Sequence, residues 1–300
     1  MKTMKKLLPC LLACAAASLL HVQGQEAAVQ LPIRFGGNVI SPSSADGRTS
    51  AFSSLVSSLG NMEEPEYFDI DPAIASMASI PRHTVRLKLA TWTGSEMLAI
   101  GINWDPNGES TQSNKGGVYL SYEPVSNQAR SIGSYTGDDW WLSFCGIAYD
   151  ATSQNVYLLS RPTIGSVTGT TGTGQYLLRM TTESIDTTRI GGAGCHLSMD
   201  DGSPVPSLRA IAIDRAGLLY GIATDSNLYR IDKNTARMVW QADLKLKISD
   251  YATQAFFSQN SDVLYIVKSD DGFGEDELWA VDMNTYNATY LADLDNTVYG

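Results

Sequence analysis

An all-β chain built from tandem repeats is the fold class the sequence predicts, on three observations. Short runs alternate apolar and polar residues with period two, as in Leu228, Arg230 and Asp232 against Tyr229 and Ile231. Turn-forming residues separate the runs, as in Asp232-Lys233-Asn234-Thr235 and Asp282-Met283-Asn284-Thr285. The same order of runs then recurs along the chain, and such recurrence outranks any local feature. With 43% hydrophobic and 18% charged residues the 300-residue chain has a globular composition, and its 14 Tyr and 26 Gly suit strands and turns.

The first segment in chain order reads as an export signal. Lys2, Lys5 and Lys6 precede an apolar run from Leu7 to Leu20, and Val22-Gln23-Gly24 offers a cleavage point before Gln25. Residues 1–24 are therefore expected to leave, and 25–300 to form the folded domain. The rival is a lipid anchor at Cys14, because Leu11-Leu12-Ala13-Cys14 has a lipobox outline. Cys14 lies inside the apolar run, and Leu12 is bulky for its place, so simple cleavage is preferred. The run is too short to span a bilayer, which needs about 20 apolar residues, and no later segment approaches that length. The expected location is outside the cytoplasm: secreted, periplasmic or at the cell surface.

The formal charge is −11, and losing three lysines takes it to about −14. That balance excludes nucleic acid, which needs a basic face, and an anionic lipid surface. Of the cysteines, Cys145 and Cys195 remain after cleavage. They are read as two small buried thiols, with a disulfide as the alternative. Neither belongs to a CxxC pair.

Four units follow, each with four short strands, a to d. The cleanest has Leu208–Asp214, Leu218–Ile222, Asn227–Asp232 and Arg237–Trp240. The one before it has Phe144–Asp150, Val156–Leu159, Gln175–Met180 and Thr187–Ile190. The one after it has Thr253–Phe257, Val263–Val267, Glu277–Asp282 and Thr289–Leu291. An earlier unit takes Thr84–Thr91, Glu96–Ile102, Gly116–Ser121 and Gln128–Ile132. A partial first unit has Arg34–Ile40 as strand b, Tyr67–Ile70 as strand c and residues 75–80 as strand d, with no strand a. Four-stranded units in tandem at this spacing imply a β-propeller, here of five units. Ring closure stays open: either Thr297-Val298-Tyr299-Gly300 supplies the missing strand a, or the ring is open or completed from elsewhere. The competing architecture is two stacked sheets without radial symmetry.

On these repeats the chain resembles secreted bacterial propeller proteins as a broad class, over about residues 30 to 300. It carries no Gly-His pair, no Trp-Asp pair closing a repeat as in WD40 proteins, and no YWTD motif. The pairs Gly36-Gly37, Gly116-Gly117 and Gly191-Gly192 fall at different places in the repeat, against a kelch assignment.

Length variation is expected on one face of the ring. The a-to-b and c-to-d turns are short, whereas Ser41–Glu66, Asn103–Lys115, Arg161–Gly174, Gly133–Leu142 and Gly191–Ser207 are long. Long loops on a rigid scaffold are where binding concentrates. Asp138-Asp139-Trp140-Trp141 would suit a sugar, with indoles stacking and carboxylates accepting hydroxyl bonds; the plainer reading packs the indoles between blades. His196, Asp200 and Asp201 form a second ligand-binding candidate. Asp270, Asp271, Glu275 and Asp276 form an oxygen-rich loop that could hold calcium, against the plainer reading of a solvated hairpin. No cofactor is otherwise expected.

The chain shows no nucleophile elbow and no phosphate loop. The first expectation is therefore an exported, non-enzymatic binding or scaffold protein whose loop-rich face engages a glycan or protein. The alternative is a propeller glycoside hydrolase or lyase with carboxylates at the mouth of the ring.

Overall fold

The computed structural model describes residues 29, 33–40, 49–63, 66–77, 85–103, 117–135, 144–161, 174–248, 253–258, 261–269 and 276–294. The export segment and Thr297–Gly300 lie outside them. The fold is an all-β propeller. In chain order the first sheet holds β1 (Ile33–Ile40), β2 (Thr49–Ser58), β3 (Asn61–Met62) and β4 (Glu66–Asp69), followed by α1 (Asp71–Ala75). The second sheet runs β5 (Val85–Trp92), β6 (Met97–Asn103), β7 (Gly117–Glu123), β8 (Gln128–Tyr135). The third runs β9 (Phe144–Asp150), β10 (Asn155–Ser160), β11 (Leu177–Thr181), β12 (Thr188–Arg189). The fourth holds β13 (Ser198–Met199), β14 (Leu208–Ile213), β15 (Leu219–Ala223), β16 (Asn227–Ile231) and β17 (Arg237–Asp243). The fifth holds β18 (Thr253–Phe257), β19 (Val263–Ser269), β20 (Asp276–Asp282) and β21 (Ala288–Leu294).

The second, third, fourth and fifth sheets are blades: four consecutive strands hydrogen-bond antiparallel in chain order, as the repeats predict. The fourth gains β13, which pairs parallel with β17 at Ser198–Arg237 and Met199–Met238. The inner strands β5, β9, β14 and β18 pack side by side in sequence.

Period two explains why sheets stack radially. Alternate residues of a strand face opposite sides, and here both sides are apolar. In β10, Val156 and Leu158 pack toward the second sheet with Leu98 and Ile100, while Tyr157 and Leu159 pack toward the fourth with Leu208 and Ile211. In β19, Leu264 and Ile266 meet the fourth sheet, and Val263, Tyr265 and Val267 share a cluster with Val56 of β2. Blades approach closely where side chains are small. A Cβ on Gly146 would lie 3.0 Å from Ile211 Cγ1 of the neighbouring inner strand.

The first sheet departs from expectation. β1 stands at the sheet's edge beside β5, in the place of a strand a, not a strand b. The presumed loop Ser41–Glu66 contains β2, which pairs with β1 along its length and with β3 and β4 on its other side. The strand d expected over 75–80 is not found in its described part: Ala75 ends helix α1 and Ser76 and Met77 form its closing turn, since Pro72 fits the first turn of a helix and not a strand, while 78–80 lie outside the described residues. Ile70, Ala73, Ile74 and Met77 then cover the outer face of the second sheet, meeting Leu87, Met97 and Leu120. The fifth sheet meets the first through Val56 and through the Gly60 N–H, which donates to the Leu291 carbonyl.

Candidate functional site

Strand direction collects the d-to-a and b-to-c connections of the four blades at one end of the inner strands. At that end three inner strands carry the same irregularity. The ladder skips one residue between Leu87 and Leu89 in β5, opposite Leu159–Ser160 in β9, and between Leu208 and Ala210 in β14. The residues left over are Lys88, Cys145 and Arg209. A bulge frees one residue from the ladder and re-aims it. Its neighbours can then fill the cores on opposite sides, as Leu87 and Leu89 do. The bulged residue is the fourth of β5 and the second of β9 and β14; β18 has no bulge.

Buried hydrogen bonds fix this station between the third and fourth sheets. The Gln175 side chain is 1% exposed. Its Nε2 donates to the Ser160 carbonyl at 2.8 Å and the Leu208 carbonyl at 3.0 Å, while its Oε1 accepts from the Leu208 N–H at 2.8 Å. The Cys145 thiol donates to the Ser160 carbonyl at 3.4 Å, and the Tyr176 N–H donates to Ser160 Oγ at 2.8 Å. Arg161 follows Ser160 directly.

Electrostatics ties the same groups together. Burial pushes the Cys145 thiol up to about 11, against the opposing pull of Arg209, Arg161 and Lys88. A thiol that high is neutral and a poor nucleophile at pH 7. Burial brings the Lys88 amine down to about 8; Arg161 lowers it further and Cys145 opposes. Lys88 and Arg209 belong to inner strands and Arg161 follows β10, each within electrostatic reach of Cys145.

A second station locks the same two sheets at the short-turn end. Asp150, fully buried at the end of β9, accepts from the Thr152 N–H at 2.9 Å, Thr152 Oγ1 at 2.6 Å and Ser153 Oγ at 2.7 Å. Lys233, from the β16–β17 turn, reaches it at 2.5 Å. Burial alone would raise this carboxyl; the bonds from Lys233, Thr152 and Ser153 outweigh it and hold the group at about 2. Gly217 crowds against the pair with φ +79°, where an added Cβ would lie 2.6 Å from Thr152 Oγ1.

The predicted site residues divide. Asp138, Asp139, Trp140, Trp141, Asp270, Asp271 and Glu275 lie outside the described residues. Asp276 is the buried first residue of β20, opposite Ser269 and Leu294. His196 Nδ1 is 2.8 Å from the Gly174 carbonyl, and its ring meets Tyr176 edge-on. Asp200 turns away to Arg237 at 3.2 Å, and Asp201 caps its own turn through the Ser203 N–H. The connection holding these residues is anchored by Leu197, buried between the third and fourth sheets, and by β13 at the edge of the fourth, while Asp200 and Asp201 are exposed. Cys145 and Cys195 are both free thiols, with Cys195 against the Thr235 carbonyl. Among the described residues no three His, Cys, Asp or Glu side chains gather to hold a metal ion.

Sequence reasoning passed over Lys88, Arg161, Gln175 and Arg209. The signal was present in the repeats. Aligning Leu87-Lys88-Leu89, Phe144-Cys145-Gly146, Leu208-Arg209-Ala210 and Thr253-Gln254-Ala255 puts a non-aliphatic residue second in each small apolar strand.

No protein-family model matches the chain, and no curated protein matches it. Solved structures do. One is a structural-genomics protein of unknown function from Bacteroides thetaiotaomicron, 12% identical, with TM-score 0.45, covering 88% of this chain and 67% of its own. A prolyl endopeptidase structure is 14% identical, with TM-score 0.33, covering 87% of this chain and 37% of its own. A gluconolactonase from Xanthomonas campestris is 10% identical, with TM-score 0.39, covering 74% of this chain and 66% of its own. At such identities and TM-scores no activity carries across. Among the described residues no helix is long and apolar enough to cross a membrane.

Proposed function

We propose that this protein is an exported, non-enzymatic binding protein that engages a glycan or protein through the loop-bearing end of its blades. One observation carries the reading: the bulges of β5, β9 and β14, with Lys88, Cys145 and Arg209 at them, lie at the end of the inner strands where those connections join, and Arg161 directly follows β10 there. Glycoside hydrolysis needs two carboxylates set a few ångströms apart, one of them proton-bearing. Cations and a neutral thiol are suited to holding a ligand and poorly suited to that chemistry. Export rests on Lys2, Lys5, Lys6 and the apolar run that follows them.

The experiment is a binding screen of the purified domain from Gln25 against neutral glycans, acidic glycans and acidic peptides, with product analysis of every bound glycan. Saturable binding with intact ligand is expected. Cleaved ligand would overturn the reading in favour of a hydrolase or lyase. Amino-terminal sequencing of the exported protein tests the signal, with Gln25 expected first.

A further inference from the structure

We propose that the exposed Trp240 indole, with Asn227, Asp225 and Asp243 around it, binds a neutral pyranose ring of a glycan. The proposal deepens the binding function above and rests on it.

The site lies where β16 begins and β17 ends, at the loop-bearing end of the fourth sheet. Two cross-strand pairs stand next to each other on one side of that sheet: Asn227 opposite Asp243, and Tyr229 opposite Trp240. A bulge takes Gln241 out of the ladder, which lets Trp240 and Asp243 share that side. Tyr229 is buried toward the third sheet, whereas Trp240, on the outer strand, is 54% exposed. Hydrogen bonds hold the indole in place. Trp240 Nε1 donates to Asn227 Oδ1 at 3.0 Å, the Asn227 N–H donates to Asp225 Oδ1 at 3.1 Å, and the Tyr229 hydroxyl donates to Asp225 Oδ2 at 3.1 Å. The turn carrying Asp225 is itself tied down by the Leu244 N–H, which donates to the Ser226 carbonyl at 2.9 Å.

The fifth sheet repeats this framework with its ring covered. Glu277 stands opposite Asp293 and Trp279 opposite Tyr290, with the bulge at Leu291. There the outer-strand ring, Tyr290, is half-buried and meets Trp279 edge-on at 5.7 Å. The framework therefore does not by itself force an outer-strand ring into solvent. A fixed, exposed indole with oxygen acceptors at its rim complements a sugar: the ring C–H groups stack on the indole face, and hydroxyls donate to the carboxylates. Asp225 is exposed, and each of its oxygens keeps a lone pair beyond the bond it already accepts. Asp243 is exposed and uses Oδ1 for the Lys245 N–H at 2.8 Å, leaving Oδ2 to accept. Two carboxylates beside the ring disfavour a uronate. An apolar protein contact that only covered the indole would take these carboxylates out of water without supplying donors.

The test is calorimetric titration of the whole domain with cellotriose, galactotriose and trigalacturonate, with product analysis of each. A neutral trisaccharide is expected to bind at least about tenfold more tightly than trigalacturonate. Trp240→Ala should weaken that binding about tenfold or more, and Trp240→Phe, which keeps a ring, should recover part of it. Circular dichroism checks that Trp240→Ala folds. If it does not, Asp243→Ala leaves the aromatic pair alone and should weaken neutral binding about threefold or more. Neutral binding unchanged by the folded variant would overturn the site and leave the binding function standing. Tighter binding of trigalacturonate would overturn the neutral ligand. Failure of every saccharide to bind would overturn the glycan; self-association in sedimentation, abolished by Trp240→Ala, would then make a second copy of this chain the partner. Cleavage of any saccharide would overturn the binding function itself.

Discussion

Replacing Asp150 with Asn should destabilise the domain by about 2–3 kcal/mol at pH 7 and by almost nothing near pH 2. The Asp150 carboxylate is fully buried and lies 2.5 Å from Lys233 Nζ, whose side chain is 23% exposed. Its hydrogen bonds hold it at about 2 in the folded protein, against an ordinary 3.8. That gap corresponds to about 2.4 kcal/mol at 1.36 kcal/mol per pKa unit. The folded value is depressed, so the contribution is complete above pH 4 and disappears as pH falls from about 4 through about 2. Asn keeps an acceptor for the Thr152 N–H but turns an amide toward Lys233, which has no lone pair to receive it. Lys233 can still reach water, which keeps the loss below the 3–5 kcal/mol typical of a fully buried broken pair. Urea unfolding of both proteins at pH 7, 4 and 2.5 measures the difference. A gap that stays constant across this range, or is absent at pH 7, would refute the assignment of the pair as an interblade lock. Lys233→Met should reproduce most of the loss at pH 7, and the double variant should show strong non-additivity.

Gln175→Leu should cost about 2–4 kcal/mol by urea unfolding, because it strips the buried Leu208 N–H and two carbonyls of their partner. Gly217→Ala should cost about 1–3 kcal/mol, since φ +79° strains any Cβ and this one meets Thr152 Oγ1; paired with Asp150→Asn, its effect should shrink.

The four regular blades were legible because each strand signals twice. Leu228, Arg230 and Asp232 against Tyr229 and Ile231 mark a strand by alternation, and the Asp232–Thr235 turn closes it. The first sheet lacked both signals. β2 reads Thr49-Ser50-Ala51-Phe52-Ser53-Ser54-Leu55-Val56-Ser57-Ser58, where serines hide the alternation and mimic a loop. α1 spans only five residues, too few for a 3.6-residue period to show, and only Pro72 after Asp71 hinted at a helix start. The sequence reading also took Gly191–Ser207 for a free binding loop. Leu197 anchors that segment against Leu159 and Met238, residues far from it along the chain, so no local pattern could reveal the anchor.

The station at the inner strands was hidden for a different reason. Period two assigns Lys88 and Arg209 to one sheet face, and both faces of an inner strand are apolar cores in this ring. A charged residue in that place would be costly, so the alternation argues against a charge there at all. The bulge removes the conflict by taking one residue out of the period. Leu208 can then pack toward the third sheet and Ala210 toward the fifth, with Arg209 belonging to neither. The same resolution recurs at Leu87-Lys88-Leu89 and Phe144-Cys145-Gly146. β18 tests the logic: Gln254, uncharged, stands opposite Val267 in an unbroken ladder. Charge and bulge coincide in β5 and β14, and both are missing in β18. Deleting Arg209 should therefore do more than remove a cation. It should close the ladder with Leu208 and Ala210 adjacent and still on opposite sides, so the fourth blade should fold, and Arg209→Gln should keep the bulge and fold as well. Circular dichroism compares both variants with the parent; an unfolded deletion variant beside a folded Arg209→Gln would mean that Arg209 is not a spare residue between Leu208 and Ala210.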